Sequence, residues 1–168
     1  IAALAQPWII QVLLWRDRRA EASEMAAVLR DRALENRDAQ VLVPAWVATA
    51  LVAVREDRRE EAIGIIEELD RETEVSLDWY RENFLAGLVR VFTASGALAL
   101  ARRLIDHSRA TAKRHHLSLL SATASLEEGL GHYADAAGLY ERAVVGWKDY
   151  DHQLETGIGL LGASRCLR

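Results

Sequence analysis

The chain has 168 residues, with 21 Lys and Arg against 25 Asp and Glu and a formal charge of −4. It lacks the basic excess that drives sequence-independent binding to a polyanion, so direct nucleic-acid binding is not expected. A single cysteine, Cys166, excludes an internal disulfide, and there is no CxxC and no His and Cys cluster at metal spacing. The expectation is a reducing, cytoplasmic setting with no metal and no cofactor.

The opening IAALAQPWIIQVLLW is apolar but interrupted by Gln6, Pro7 and Gln11, and no basic leader precedes it. At about 15 residues it is too short to span a bilayer and wrong for a signal peptide, so no membrane association is expected. Its start inside an apolar helical pattern reads as a piece of a longer protein. Along the chain there are only two prolines, Pro7 and Pro44, and apolar residues recur at three and four, as in Ala62, Ile65, Ile66 and Leu69. That spacing predicts an all-α chain with helices near residues 3–15, 20–35, 39–54, 59–73, 78–94, 97–114, 117–129, 134–147 and 152–167. Breaks are expected at Asn36 to Asp38, Glu56 to Arg58, Ser76 to Asp78, Ser95 and Gly96, Gly131 and His132, and Asp149 to Asp151. No linker divides the chain, which reads as a single domain over 1–168.

The stretch DRRAEA, Asp17 to Ala22, returns as DRREEA, Asp57 to Ala62, and it is the visible part of a longer repeat. Ala22, Ala62, Ala101 and Ala136 align at spacings of 40, 39 and 35, each followed four residues on by Ala26, Ile66, Ile105 and Tyr140 and seven on by Leu29, Leu69, Ser108 and Ala143. Sixteen residues before them stand Gln6, Trp46, Leu85 and Leu120, and four beyond those Ile10, Ala50, Val89 and Ala124. A small residue where antiparallel helices cross lets the backbones approach, so the pattern predicts helical hairpins at about 3–37, 38–76, 77–115 and 116–150, with an extra helix over 151–168. The DRR stretches then fall at hairpin turns, and Glu21, Glu60 and Glu61 open the following helix at its positive dipole end. Carboxylates within three residues argue against reading the Arg pair as an anion site.

The fourth unit, LGHYADAAGLYERAV, with Gly131, Tyr133, Ala136, Tyr140 and Ala143, resembles the tetratricopeptide (TPR) repeat family. No unit ends in the family's proline, and a turn glycine survives only at Gly96 and Gly131. The longer units, together with the ending LLGASRCL from Leu160 to Leu167, are similar to the degenerate repeats in the helical arms of LuxR-type ATPase regulators and multidomain nucleotide cyclases. The resemblance implies a right-handed TPR-like solenoid of about four hairpins plus one C-terminal helix.

In that family the first helix of each unit lines a concave groove, and the matching positions are Leu4, Pro7 and Gln11; Pro44, Val47 and Leu51; Asn83, Ala86 and Arg90; and Ser118, Ser121 and Ser125. The three serines also share one helical face by spacing alone, with Glu128 one step further. Groove contacts are expected from Asn83, Arg90, Ser118, Ser121, Ser125 and Glu128, with Arg90 bridging to an acid such as Glu128 as the structural alternative.

His115 and His116 point about 100 degrees apart on a helix and do not share a metal readily. His107, His132 and His152 have no partner at ligand spacing. GLG at Gly129 to Gly131 and GIGLLG at Gly157 to Gly162 follow no strand, which removes a phosphate-loop reading. Cys166 is expected as a small helix contact and the five tryptophans as structural. Gly157, Gly159 and Gly162 should weaken the final helix, and in a piece of a longer protein Ile158, Leu161 and Leu167 are expected to expose an apolar face that favours self-association through terminal helices.

With no acid, base and nucleophile set in view, the chain is read as non-catalytic. The expected role is an interaction scaffold for a protein, a peptide or other domains of the same polypeptide, within a bacterial signalling or transcription regulator. The alternative is a small-molecule sensor whose groove ligand biases an output domain.

Overall fold

The computed structural model describes the backbone of residues 2–36, 39–72 and 78–168, and the side chains of 5–35, 41–68 and 82–168. The described residues form nine helices and no strand: α1 (Ala2–Trp15), α2 (Arg19–Asn36), α3 (Ala39–Arg55), α4 (Arg59–Glu72), α5 (Asp78–Ala94), α6 (Leu98–Asp106), α7 (Lys113–Gly129), α8 (Tyr133–Asp149) and α9 (Gln153–Cys166). None is long and apolar enough to cross a membrane. The breaks expected at Asn36 to Asp38 and Ser76 to Asp78 lie largely outside the described residues, as do the side chains of Leu4, Leu69 and Trp79.

The same turn recurs at five of the described connections between helices. Asp17, Asp57, Gly96, Gly131 and Asp151 all take a left-handed backbone, with φ of 56°, 61°, 80°, 83° and 57°. In each case the next residue's N–H reaches back five residues: Arg18 to Leu13, Arg58 to Ala53, Ala97 to Phe92, His132 to Glu127 and His152 to Trp147, at 2.8–2.9 Å. This double closure, completed by the left-handed residue's own bond three residues back, satisfies carbonyls that a helix end leaves orphaned. Glycine adopts the conformation freely, and aspartate is among the few other residues that tolerate it.

The DRR stretches are therefore turn chemistry. Arg19 Nε donates to Asp17 Oδ1 at 2.7 Å and Arg59 Nε to Asp57 Oδ1 at 3.0 Å, while Arg18 pairs with Glu21, and Arg58 with Glu56 and Glu61. Each guanidinium is engaged within its own turn. Exposed pairs of this kind add little stability but commit both arginines of each DRR stretch.

The residue that follows each left-handed position offers its carbonyl to the next helix. Ala22, Ala62, Ala101 and Ala136 donate to Arg18, Arg58, Ala97 and His132 at 3.0–3.1 Å, and all four alanines are fully buried. Thr156 occupies the fifth such place, donating to His152 at 3.0 Å. Ile10, Ala50, Val89 and Ala124, the small or apolar positions of the preceding helices, are buried as well.

One boundary differs from expectation. The helix predicted over 97–114 stops at Asp106, and the next begins at Lys113 instead of 117. Leu104, Ile105, Ala110 and Ala112 continue the apolar pattern, so periodicity alone overran the end. His107 closes α6 by its N–H and its Nδ1, both bonded to Arg103 O, and Ala112 is extended at φ −125° and ψ 159°. Ser108 consequently lies beyond α6 and does not hold the helical place occupied by Leu29 and Ala143.

Packing resolves two compact units, Ile1–Phe84 and Leu85–Arg168, and the division falls inside α5. In the N-terminal unit α1 packs on α2 and α3, and α3 packs on α2 and α4. Its buried residues are almost wholly apolar, among them Ile10, Leu29, Val43, Trp46 and Ile66, with Trp8 stacked on Phe84 at 6.2 Å. In the C-terminal unit α8 lies against both α7 and α9, and α7 also touches α6.

Candidate functional site

The polar side chains singled out from the sequence converge inside the C-terminal unit. Ser118, Ser121 and Ser125 stand on one face of α7, as the i, i+3, i+7 spacing requires. They are 1%, 5% and 7% exposed. Ser118 Oγ accepts from Ala86 N–H at 3.1 Å, Ser121 Oγ accepts from Trp147 Nε1 at 2.9 Å, and Ser125 Oγ lies 3.1 Å from Thr93 Oγ1. The serines expected as groove contacts are therefore enclosed: helices close on these small residues, and their hydroxyls bond α5 and α8.

Arg90 leaves α5 among Leu88, Val89, Val91 and Phe92, and its partner is Glu155 in the first turn of α9. The pair is bidentate, Nη2 to Oε1 at 2.6 Å and Nη1 to Oε2 at 3.1 Å, with side chains 20% and 9% exposed. Two parallel bonds fix orientation as well as charge, and removing one partner would strand the other in a poorly solvated place. His152 completes the arrangement. Its Nδ1 accepts from Glu155 N–H at 3.4 Å, capping α9, and its ring meets Trp147 edge-on at a centroid distance of 5.1 Å. Burial holds the His152 imidazole below its ordinary value; Glu155 opposes this, while Arg114 and Arg90 reinforce it.

Glu128 is not the acid that holds Arg90. It receives Arg165 of α9 through Nε at 2.6 Å and Nη2 at 2.8 Å, and the Tyr140 hydroxyl of α8 at 2.7 Å. Burial would raise the Glu128 carboxyl, but the bonds from Arg165 and Tyr140 outweigh it and leave the group below its usual range. The Tyr140 hydroxyl is pushed far up, first by burial and then by donating to that carboxylate. Beside it, Glu127 is lowered chiefly by its bond to His132, with help from Arg102.

Thus Arg90, Ser118, Ser121, Ser125 and Glu128 share one unit and form a bonded seam, whereas Asn83, half-buried, belongs to the N-terminal unit. Sequence reasoning missed Glu155, Trp147, Tyr140 and Arg165 as the partners. The available signal was Glu155 in the first turn of α9, where a helix favours an acid. It also missed the glycines' purpose. A Cβ on Gly162 would lie 2.4 Å from Tyr140 Cζ and one on Gly159 2.7 Å from Val144 Cγ2, while Gly157 has nothing within 4 Å. Cys166 is half-buried against Ala124, Ala136, Tyr140 and Ala163, and burial raises its thiol. No group of three His, Cys, Asp or Glu suited to a metal occurs among the described residues.

Chemically, the arrangement orients helices: each carboxylate of the seam is neutralised by a guanidinium, and each serine hydroxyl has a protein partner. The chain matches no protein-family model, no curated protein and no solved structure.

Proposed function

We propose that this chain is a non-catalytic interaction scaffold, a right-handed TPR-like stack of helical hairpins with α9 as an added helix. The observation that carries the reading is the recurrence of one turn geometry at Asp17, Asp57, Gly96 and Gly131, each followed five residues on by a fully buried alanine. Stacked units of this kind expose the first helix of each hairpin along a shared surface, which suits a peptide or another domain of the same polypeptide. The resemblance to helical arms supports a place in a cytoplasmic signalling or transcription regulator.

Because the serine row is closed, the binding contacts are assigned to first-helix positions that keep some exposure, Pro7, Gln11 and Leu51 in the N-terminal unit. Fluorescence-polarisation screening of helical and extended peptide libraries against the purified chain tests this. Peptides selected by the wild type should lose at least tenfold in affinity on Leu51→Glu and keep it on Arg90→Ala under conditions where both variants are folded. Selected peptides insensitive to Leu51→Glu, or no selection by a folded chain, would overturn the assignment.

A further inference from the structure

We propose that α9 is held by a pH-sensitive latch, in which neutral His152 caps the helix and sets Glu155 against Arg90, and proton uptake by the imidazole releases it. The inference concerns regulation of one helix and does not rest on the scaffold reading.

The geometry makes the cap dependent on protonation state. With Nδ1 accepting from Glu155 N–H, the ring proton of the neutral imidazole is on Nε2. In the imidazolium both nitrogens are donors, so Nδ1–H would face the Glu155 N–H and the cap would be lost. The bond also joins the cap to the ion pair: the residue whose N–H is capped is the residue whose carboxylate clamps Arg90. Three of the elements around the ring present charge: α5 through Arg90, α7 through Arg114 and α9 through Glu155, while α8 presents the Trp147 indole. Glu155 is already committed to Arg90, so an imidazolium would meet the guanidinium groups of Arg90 and Arg114 and would have to share that carboxylate. Asp151, next in the chain, accepts from Gln153.

The direction of the effect follows from linkage. Burial depresses the folded-state value of His152 below that of the unfolded chain, so the stabilising contribution is complete above about pH 6.5 and is lost as the pH falls below it. Outward motion of α9 is opposed elsewhere by Arg165 on Glu128 and by the seat of Gly162 on Tyr140, so the latch governs the N-terminal end of the helix first.

Hydrogen exchange of the whole chain, followed by NMR between pH 5 and 8 and corrected for intrinsic rates, tests the latch. The α9 amides near Glu155 should open roughly fivefold more at pH 5.5 than at pH 7.5, the change expected from losing one cap, while α3 and α4 amides keep their ratio. His152→Asn, which caps without titrating, should remove the pH dependence and retain protection. His152→Ala should open α9 at both pH values. Acid opening that persists in His152→Asn would place the effect on another group and overturn the proposal, as would wild-type protection that does not change with pH.

Discussion

The two compact units fill the same repeat position in opposite ways. Pro44, Val47 and Leu51 of α3 stand at the distances from Ala62 that Ser118, Ser121 and Ser125 of α7 hold from Ala136. The first set packs by shape, with Pro44 and Val47 buried and no hydroxyl to satisfy; the second is buried as deeply and bonded to Ala86, Trp147 and Thr93. Their tryptophans differ in the same sense. The Trp46 indole N–H has no acceptor among the described residues, and Arg30 lies over its ring at 5.5 Å, whereas the Trp147 N–H has Ser121. Apolar packing tolerates neighbours of similar volume, but a bonded seam admits only partners that present the right atom in the right place. The C-terminal unit should therefore be the more exacting and the more responsive to pH.

The largest test of that contrast is Glu155→Ala. Leaving Arg90 mostly enclosed without its carboxylate should lower the stability of the C-terminal unit by about 3 kcal/mol in urea unfolding. A change below about 1 kcal/mol would show that the pair is solvated and contributes as a surface bridge does. Next is Gly162→Ala, where the new methyl group meets the Tyr140 ring and the Tyr140 hydroxyl is tied to Glu128. A net loss of about 2 kcal/mol is expected despite the gain in helix propensity.

A reciprocal exchange sharpens the comparison directly. Ser121→Val should cost about 1–3 kcal/mol by stranding the Trp147 N–H, and Val47→Ser about 1–2 kcal/mol by burying a hydroxyl in apolar surroundings. Thermal melts in which either exchange is neutral would mean that the two positions are interchangeable. The smallest effect has the opposite sign: Gly157→Ala, with open space around it, should stabilise the chain by up to about 1 kcal/mol.

Much of the fold was legible because its determinants are local. Four buried alanines and the helix periods follow from spacings of three, four and seven, and the turns follow from Asp, Arg and Gly at fixed offsets. The end of α6 was not legible, since apolar residues continue past Asp106 and only the bonds of His107 show the stop. The site was legible as a list but not as an arrangement. Serines spaced along one face describe an open surface and a tight helix crossing equally well, and nothing near Arg90 in the chain identifies Glu155, 65 residues away, as its partner. Gly159 and Gly162 carry the same lesson. Counted by propensity they weaken α9, but placed against Val144 and Tyr140 they are what lets α9 approach α8.

The recurring turn also bears on how the chain folds. Each of the five closures spans five residues, so its loop entropy is small and it can form before any distant contact exists. With five such short-range starting points among the described residues, the chain should acquire its hairpins rapidly, and the slow events should be the long-range ones, above all the meeting of Arg90 with Glu155. In stopped-flow refolding, substitutions at Asp57 or Gly131 would then act on the folding rate, while Glu155→Ala would act mainly on unfolding.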